Sequence, residues 1–176
     1  ETRDHSEVVR LAGEAERLAA EGKFEEAAAK IGAARSLAKQ DSITVERADK
    51  SKKTYDFTDL QKNYEQKARK HNAEVLLNEA GKAAKQRKYE KAIQLLEQAQ
   101  RALREDRFSS ETLTFNNGKT EQTVKASELG RQKTEWQKAQ TARNERMAAR
   151  LLKAAASLQK GGQFERALKA LERAGE

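Results

Sequence analysis

The 176-residue chain contains no cysteine and no proline, and only 9 glycines, 9 aromatic residues, 2 histidines and one methionine. Without cysteine there are no disulfides and no thiolate metal sites. The absence of proline and the scarcity of glycine argue against a sandwich or barrel, which needs a turn every few residues. No stretch approaches the 18 apolar residues that read as a membrane span, so no membrane insertion is expected. What the chain has instead is charge. Asp, Glu, Lys and Arg make up 36% of it, the same share as hydrophobic residues, and the mean hydropathy is −1.01. Charge alternates with Ala and Leu throughout, and this apolar period, which a disordered chain lacks, marks amphipathic helices.

The formal net charge of +8 is uneven. Residues 1–41 carry 7 basic and 9 acidic side chains, residues 42–107 carry 16 and 11, and residues 108–176 carry 13 and 8. A basic balance admits nucleic acid or an acidic protein surface as partner. Acids and bases are nevertheless interleaved, as in the i,i+4 pairs Glu65 with Arg69 and Glu97 with Arg101, so a solvated helix face is the simpler reading.

Three stretches align without gaps, at Leu11–Ala34, Leu76–Ala99 and Leu151–Ala174. In each, an amphipathic helix ends in a short polar break and an aromatic opens a second helix: Phe24, Tyr89 or Phe164. Ala27, Ala92 and Ala167 follow three positions later. Ile31, Leu96 and Leu171 follow at seven, and Ala34, Ala99 and Ala174 at ten. These offsets share one helical face. The preceding helices repeat Leu11, Ala15 and Leu18 as Leu76, Ala80 and Ala83, then as Leu151, Ala155 and Leu158. Small residues let paired helices approach, and large ones fill the groove between them.

This pattern resembles the tetratricopeptide repeat, with Gly22 and Gly162 at the turn and Arg87 in that place in the middle unit. The similarity covers less than half of the chain. Lys39 and Arg104 stand where the family often has Pro, and the aromatics are 65 and 75 residues apart against a family period of about 34. Something is therefore inserted between units. The resemblance implies a protein-interaction scaffold with a peptide groove lined mainly by the first helix of each pair.

Both inserts read as β-hairpins. Leu113 and Phe115 alternate with polar residues, Asn116-Asn117-Gly118 follows, and Val124 ends a second β-prone run. Asn-Gly between such runs is a hairpin signal. A two-residue loop at Asn117-Gly118 would set Leu113 opposite Gln122 and Phe115 opposite Thr120. In the first insert, Val45 opposite Tyr55 and Ile43 opposite Phe57 would put four apolar side chains on one face, with the polar stretch Ala48–Lys52 as the tip. Thr58 then reads as the N-cap of a helix of about 28 residues, whose stripe runs through Leu60, Tyr64, Ala68, His71 and Val75 into Leu76. A second long helix is expected from about Ala126 to Gln159, carrying Leu129, Trp136, Ala139 and Met147.

The expected fold is mainly α: antiparallel αα-hairpin repeats with extended helices and two inserted β-hairpins. We expect one elongated domain over 1–176, with units at about 8–40, 59–107 and 126–175 and hairpins at about 42–57 and 111–125. Residues 1 and 176 cut into the array without a polar cap, which suggests a piece of a longer protein or end-to-end assembly.

Catalytic motifs are missing. Gly118-Lys119-Thr120 resembles the end of a phosphate loop, but Leu113 stands where the first glycine belongs. His5 and His71 have no neighbour at ligand spacing, and no Ser, His and Asp form a known motif. We expect no enzyme activity, no metal and no cofactor. Trp136 reads as core. Lys50-Ser51-Lys52-Lys53 reads as charge protecting a hairpin edge, although it could touch an anionic surface. The expected partner is another protein or peptide. Self-association and nucleic-acid binding are the alternatives, and Tyr55, Phe57, Leu113, Phe115, Lys85 and Lys160 are the candidate contact residues.

Overall fold

The computed structural model describes residues 2–46, 50–103 and 111–175. Among these residues it is mainly α-helical, with six helices packed in antiparallel pairs and two small antiparallel hairpins. In chain order these are α1 (Thr2–Ala20), α2 (Phe24–Ala38), β1 (Ser42–Glu46), β2 (Lys52–Asp56), α3 (Phe57–Lys85), α4 (Tyr89–Ala102), β3 (Thr112–Asn116), β4 (Glu121–Lys125), α5 (Leu129–Lys160) and α6 (Phe164–Gly175). A 3-10 turn, Ala126–Glu128, leads into α5. The expected tip residues Ala48 and Asp49 and the side chain of Ala174 lie outside the described residues.

The three helix pairs close in the same way. In α1–α2 the Gly22 amide donates to the Ala19 carbonyl and the Lys23 amide to that of Leu18. Arg87 to Ala84 and Lys88 to Ala83 repeat this between α3 and α4, as do Gly162 to Gln159 and Gln163 to Leu158 between α5 and α6. The residue at the bend has positive φ each time: 78° at Gly22, 59° at Arg87 and 75° at Gly162. This turn satisfies the last carbonyls of the first helix and is why glycine is favoured there. Arg87 adopts the same conformation with a Cβ, at a cost that glycine avoids.

The chain divides into two compact units, residues 1–73 and 74–176. Unit 1 has one apolar core, with Val8, Ala12, Ala15 and Leu18 from α1 and Ala27, Ala28, Ile31 and Ala34 from α2. Tyr55 from β2 and Phe57 and Tyr64 from the first half of α3 complete it. In unit 2, Leu77, Ala80, Ala92, Leu96, Ala99, Leu113, Phe115, Leu129 and Trp136 are buried. Ala92 is fully buried on the inner face of α4. Ala92→Leu should therefore lower stability by about 1–3 kcal/mol through overpacking, measured by chemical denaturation. A neutral effect would put the wrong face of α4 inward.

Several expectations are corrected. The buried stripe of α3 is Phe57, Tyr64, Ala68, Ala73, Leu77 and Ala80, whereas His71 and Val75 are exposed. Leu11, Leu76 and Leu151 are only half-buried, because the following residue in each of the first two units, Ala12 and Leu77, takes the inward position. Met147 on α5 is exposed. The N-terminus of α3 is capped by Asp56, whose Oδ1 accepts the Asp59 amide at 3.0 Å, while Thr58 donates its hydroxyl to Asp41.

Both strand registers differ by two residues from expectation. Ile43 faces Tyr55 and Val45 faces Lys53, while Leu113 faces Val124 and Phe115 faces Gln122. Phe57 opens α3 instead of extending β2. In the second hairpin the loop is longer than two residues because asparagine side chains close it. Asn117 Oδ1 accepts the amides of Lys119 and Thr120, and Asn116 Oδ1 accepts that of Gly118. A two-residue shift preserves the strand face, so Leu113 and Phe115 still point together into the core.

Candidate interaction surface

Each hairpin folds back on the first helix of its own unit. The Phe57 amide donates to the Asp41 carbonyl and the Ala126 amide to the Glu111 carbonyl, closing the base of each hairpin. In unit 1, Lys53 reaches from β2 to the Glu16 carboxylate on α1, with its ammonium 4.5 Å from the Tyr55 ring centre. Burial works against this charge, but Glu16 and the Tyr55 hydroxyl hold the Lys53 pKa above its ordinary value. Lys53 is thus a strut between strand and helix, not part of a charged tip.

In unit 2 the second half of α3 receives β3. Glu74 Oε1 accepts the Thr114 amide at 3.0 Å and Asn78 Oδ1 accepts the Asn116 amide at 2.9 Å. These bonds occupy the amides that an added strand would need at this edge. The turn is pressed against the helix backbone. A Cβ on Gly81 would overlap the Asn116 carbonyl, lying 2.7 Å from its carbon, and a Cβ on Gly118 would lie 2.6 Å from the Gly81 carbonyl oxygen. Gly118 therefore serves close packing rather than phosphate binding. Across the hairpin, Gln122 donates to the buried Gln132 of α5 at 2.9 Å, and Lys133 pairs with Glu97 of α4 at 2.7 Å. The Lys133 ammonium holds the Glu97 carboxyl below the usual carboxylate range.

Of the candidate contact residues, Tyr55, Phe57, Leu113 and Phe115 are buried. Lys85 and Lys160 are exposed at the C-terminal ends of α3 and α5. Among the described residues no group of three His, Asp or Glu side chains gathers to hold a metal. No described helix is long and apolar enough to cross a membrane.

Most of the exposed large apolar side chains among the described residues lie on α5 and α6, with Leu37 on α2 and Val75 on α3 standing apart. Leu152 is 50% exposed, whereas its equivalent Leu77 is fully buried. Leu171 is 47% exposed, whereas Ile31 and Leu96 at that position are fully buried. Phe164 and Leu168 are also exposed, at 66% and 59%. The pair itself is formed, since Ala155 and Ala167 remain buried where α5 meets α6. The sequence pattern marks Leu171 and Phe164 as repeat-core positions. In the other two helix pairs the equivalent of Leu171 is covered by a hairpin and the helix after it.

A basic groove of about 580 Å³ is lined by Arg87, Arg143, Arg146 and Arg150 with Tyr89 and Met147. Arg143 donates to the Arg87 carbonyl at 2.8 Å. The sequence pattern raised an open repeat end without singling out Leu152 or Leu168, and it did not point to the groove. The signal for the groove was the i,i+3,i+7 spacing of Arg143, Arg146 and Arg150 along one helix face. No known protein family, curated protein or solved structure matches this chain.

Proposed function

We propose that the chain is a non-enzymatic protein-interaction module that binds through the apolar band of α5 and α6. The observation that supports this reading is the exposure of Leu152, Phe164, Leu168 and Leu171, since the equivalents of Leu152 and Leu171 are fully buried in the other two helix pairs. Exposed apolar side chains gathered in one patch are a common mark of a binding surface. The likeness of the helix pairs to tetratricopeptide repeats agrees with a scaffold role, as an analogy of fold. The test is a peptide array of amphipathic and acidic segments, probed with the purified chain and with a Leu168→Asp, Leu171→Asp variant. The reading expects peptides that bind the first and lose at least about tenfold in affinity for the second, roughly 1.4 kcal/mol. If no peptide distinguishes the two proteins, the reading fails.

The arginine groove favours a second reading, an anionic partner. Four arginines lining one groove, with no acid among its lining residues, suit phosphate or carboxylate. A salt-dependent gel shift with single-stranded RNA, lost in Arg146→Ala with Arg150→Ala, would carry this alternative. Absence of a shift at low salt would remove nucleic acid from it.

A further inference from the structure

We infer that the band on α5 and α6 takes a β-hairpin followed by a helix, of the chemistry of residues 42–64. This inference rests on the interaction reading above and names the partner's chemistry. Two helix pairs of the chain are already covered. In unit 1, the core of α1 and α2 is completed by Tyr55 of β2 and by Phe57 and Tyr64 of α3, with Ile43 and Val45 packed against it. In unit 2, β3 lies along the second half of α3, and α5 packs on α4 and contributes Leu129 and Trp136. The large apolar residues of the covering helix are seven apart in both cases, Phe57 and Tyr64 or Leu129 and Trp136, so they present one face. The positions they help to bury, Ile31 and Leu96, correspond to the exposed Leu171. An occupant with alternating apolar strands and a helix carrying large residues seven apart is complementary to this face.

One position decides between the two hairpin types. The site that holds Glu16 in unit 1 holds Gly81 in unit 2 and Ala156 on α5. The β3–β4 turn tolerates no Cβ there. The β1–β2 hairpin meets that position through a side chain, with Lys53 reaching Glu16. Ala156 has a Cβ, which excludes the second type; it leaves room for the first, whose lysine would extend to solvent there instead of to a carboxylate.

The experiment uses the full chain with a tethered occupant. Ser36 is equivalent to Glu176, so fusing a copy of residues 37–72 directly after Glu176 keeps the register of unit 1. A fusion of residues 102–144 keeps the register of unit 2. Amide exchange is measured across α5 and α6 in both fusions and in the parent chain. We expect the first fusion to slow exchange around Leu152 and Leu171 by at least about tenfold, and the second to do so only with Ala156→Gly. If the first fusion gives no added protection, the inference is overturned, since tethering supplies a high effective concentration. Protection by the second fusion without the glycine change would overturn the choice of hairpin type. Peptides that bind the band on the array while the first fusion gives no protection would remove this inference and leave the interaction reading standing. Failure of both experiments would remove both.

Discussion

Replacing Gly81 by alanine is expected to destabilise unit 2 by about 3 kcal/mol, the upper end of overpacking costs, although the same change in an exposed helix is stabilising. In a helix interior alanine is favoured over glycine by about 1 kcal/mol. At Gly81 that gain is overwhelmed. The new Cβ would overlap the Asn116 carbonyl and touch the Gly118 amide, and neither is the free end of a side chain that can swing away. The hairpin must lift from α3, stretching the bonds from Glu74 and Asn78 to the β3 amides. It also loosens the packing of Leu113 and Phe115, and large effects come from such core disruption. Gly13 in α1 is the control. Nothing lies within 4 Å of a Cβ built there, so Gly13→Ala should stabilise unit 1 by about 0.5–1 kcal/mol. Urea unfolding of the two variants should shift in opposite directions. A stabilised Gly81→Ala protein would mean that the turn does not rest on the helix.

The second large effect is expected from Leu113→Ser combined with Phe115→Ser. Both side chains are almost wholly buried and lie on the inward face of β3. Truncating a core leucine or phenylalanine costs about 2–5 kcal/mol, and the serine hydroxyls add the cost of burying a polar group. The two sites are neighbours and their losses will not simply add. A combined loss of about 5 kcal/mol or more is still expected, read as a markedly lower Tm and faster amide exchange in β3 and β4. If stability were unchanged, the hairpin would not be part of the core, and its apolar face would become a candidate binding surface.

Much of the architecture was legible because it rests on local pattern. The aromatic-x-x-Ala spacing after a polar break located three helix pairs. The alternation around Leu113 and Phe115, with Asn-Gly nearby, located a hairpin. Register was less legible because it depends on side chains that act at a distance. Nothing local shows that Asn117 closes a longer loop by accepting the amides of Lys119 and Thr120. Lys53 looks like an exposed strand residue until α1 brings Glu16 to it. Leu76 and Leu77 are adjacent and equally apolar, so which one points inward is decided by tertiary packing. The interaction surface was the least legible part. Leu171 carries the same pattern as Ile31 and Leu96, and sequence cannot tell a core position that is covered from one that is not. Gly81 was overlooked because a lone glycine in a helical run reads as a small local cost until the hairpin turn is seen to rest on it.

The order of the elements also bears on how the chain is made. Every element that completes the unit 1 core is encoded before residue 73. During synthesis this unit can reach its final packing while most of unit 2 is still being translated. The helix α3 then crosses from one unit into the next without a break, from Phe57 to Lys85. The costly step in helix formation is the first turn, and each later residue extends what exists. Once unit 1 has fixed the first half of α3, the second half starts from an existing template. The continuity of α3 thus gives the second half of the helix a way to form without a nucleus of its own.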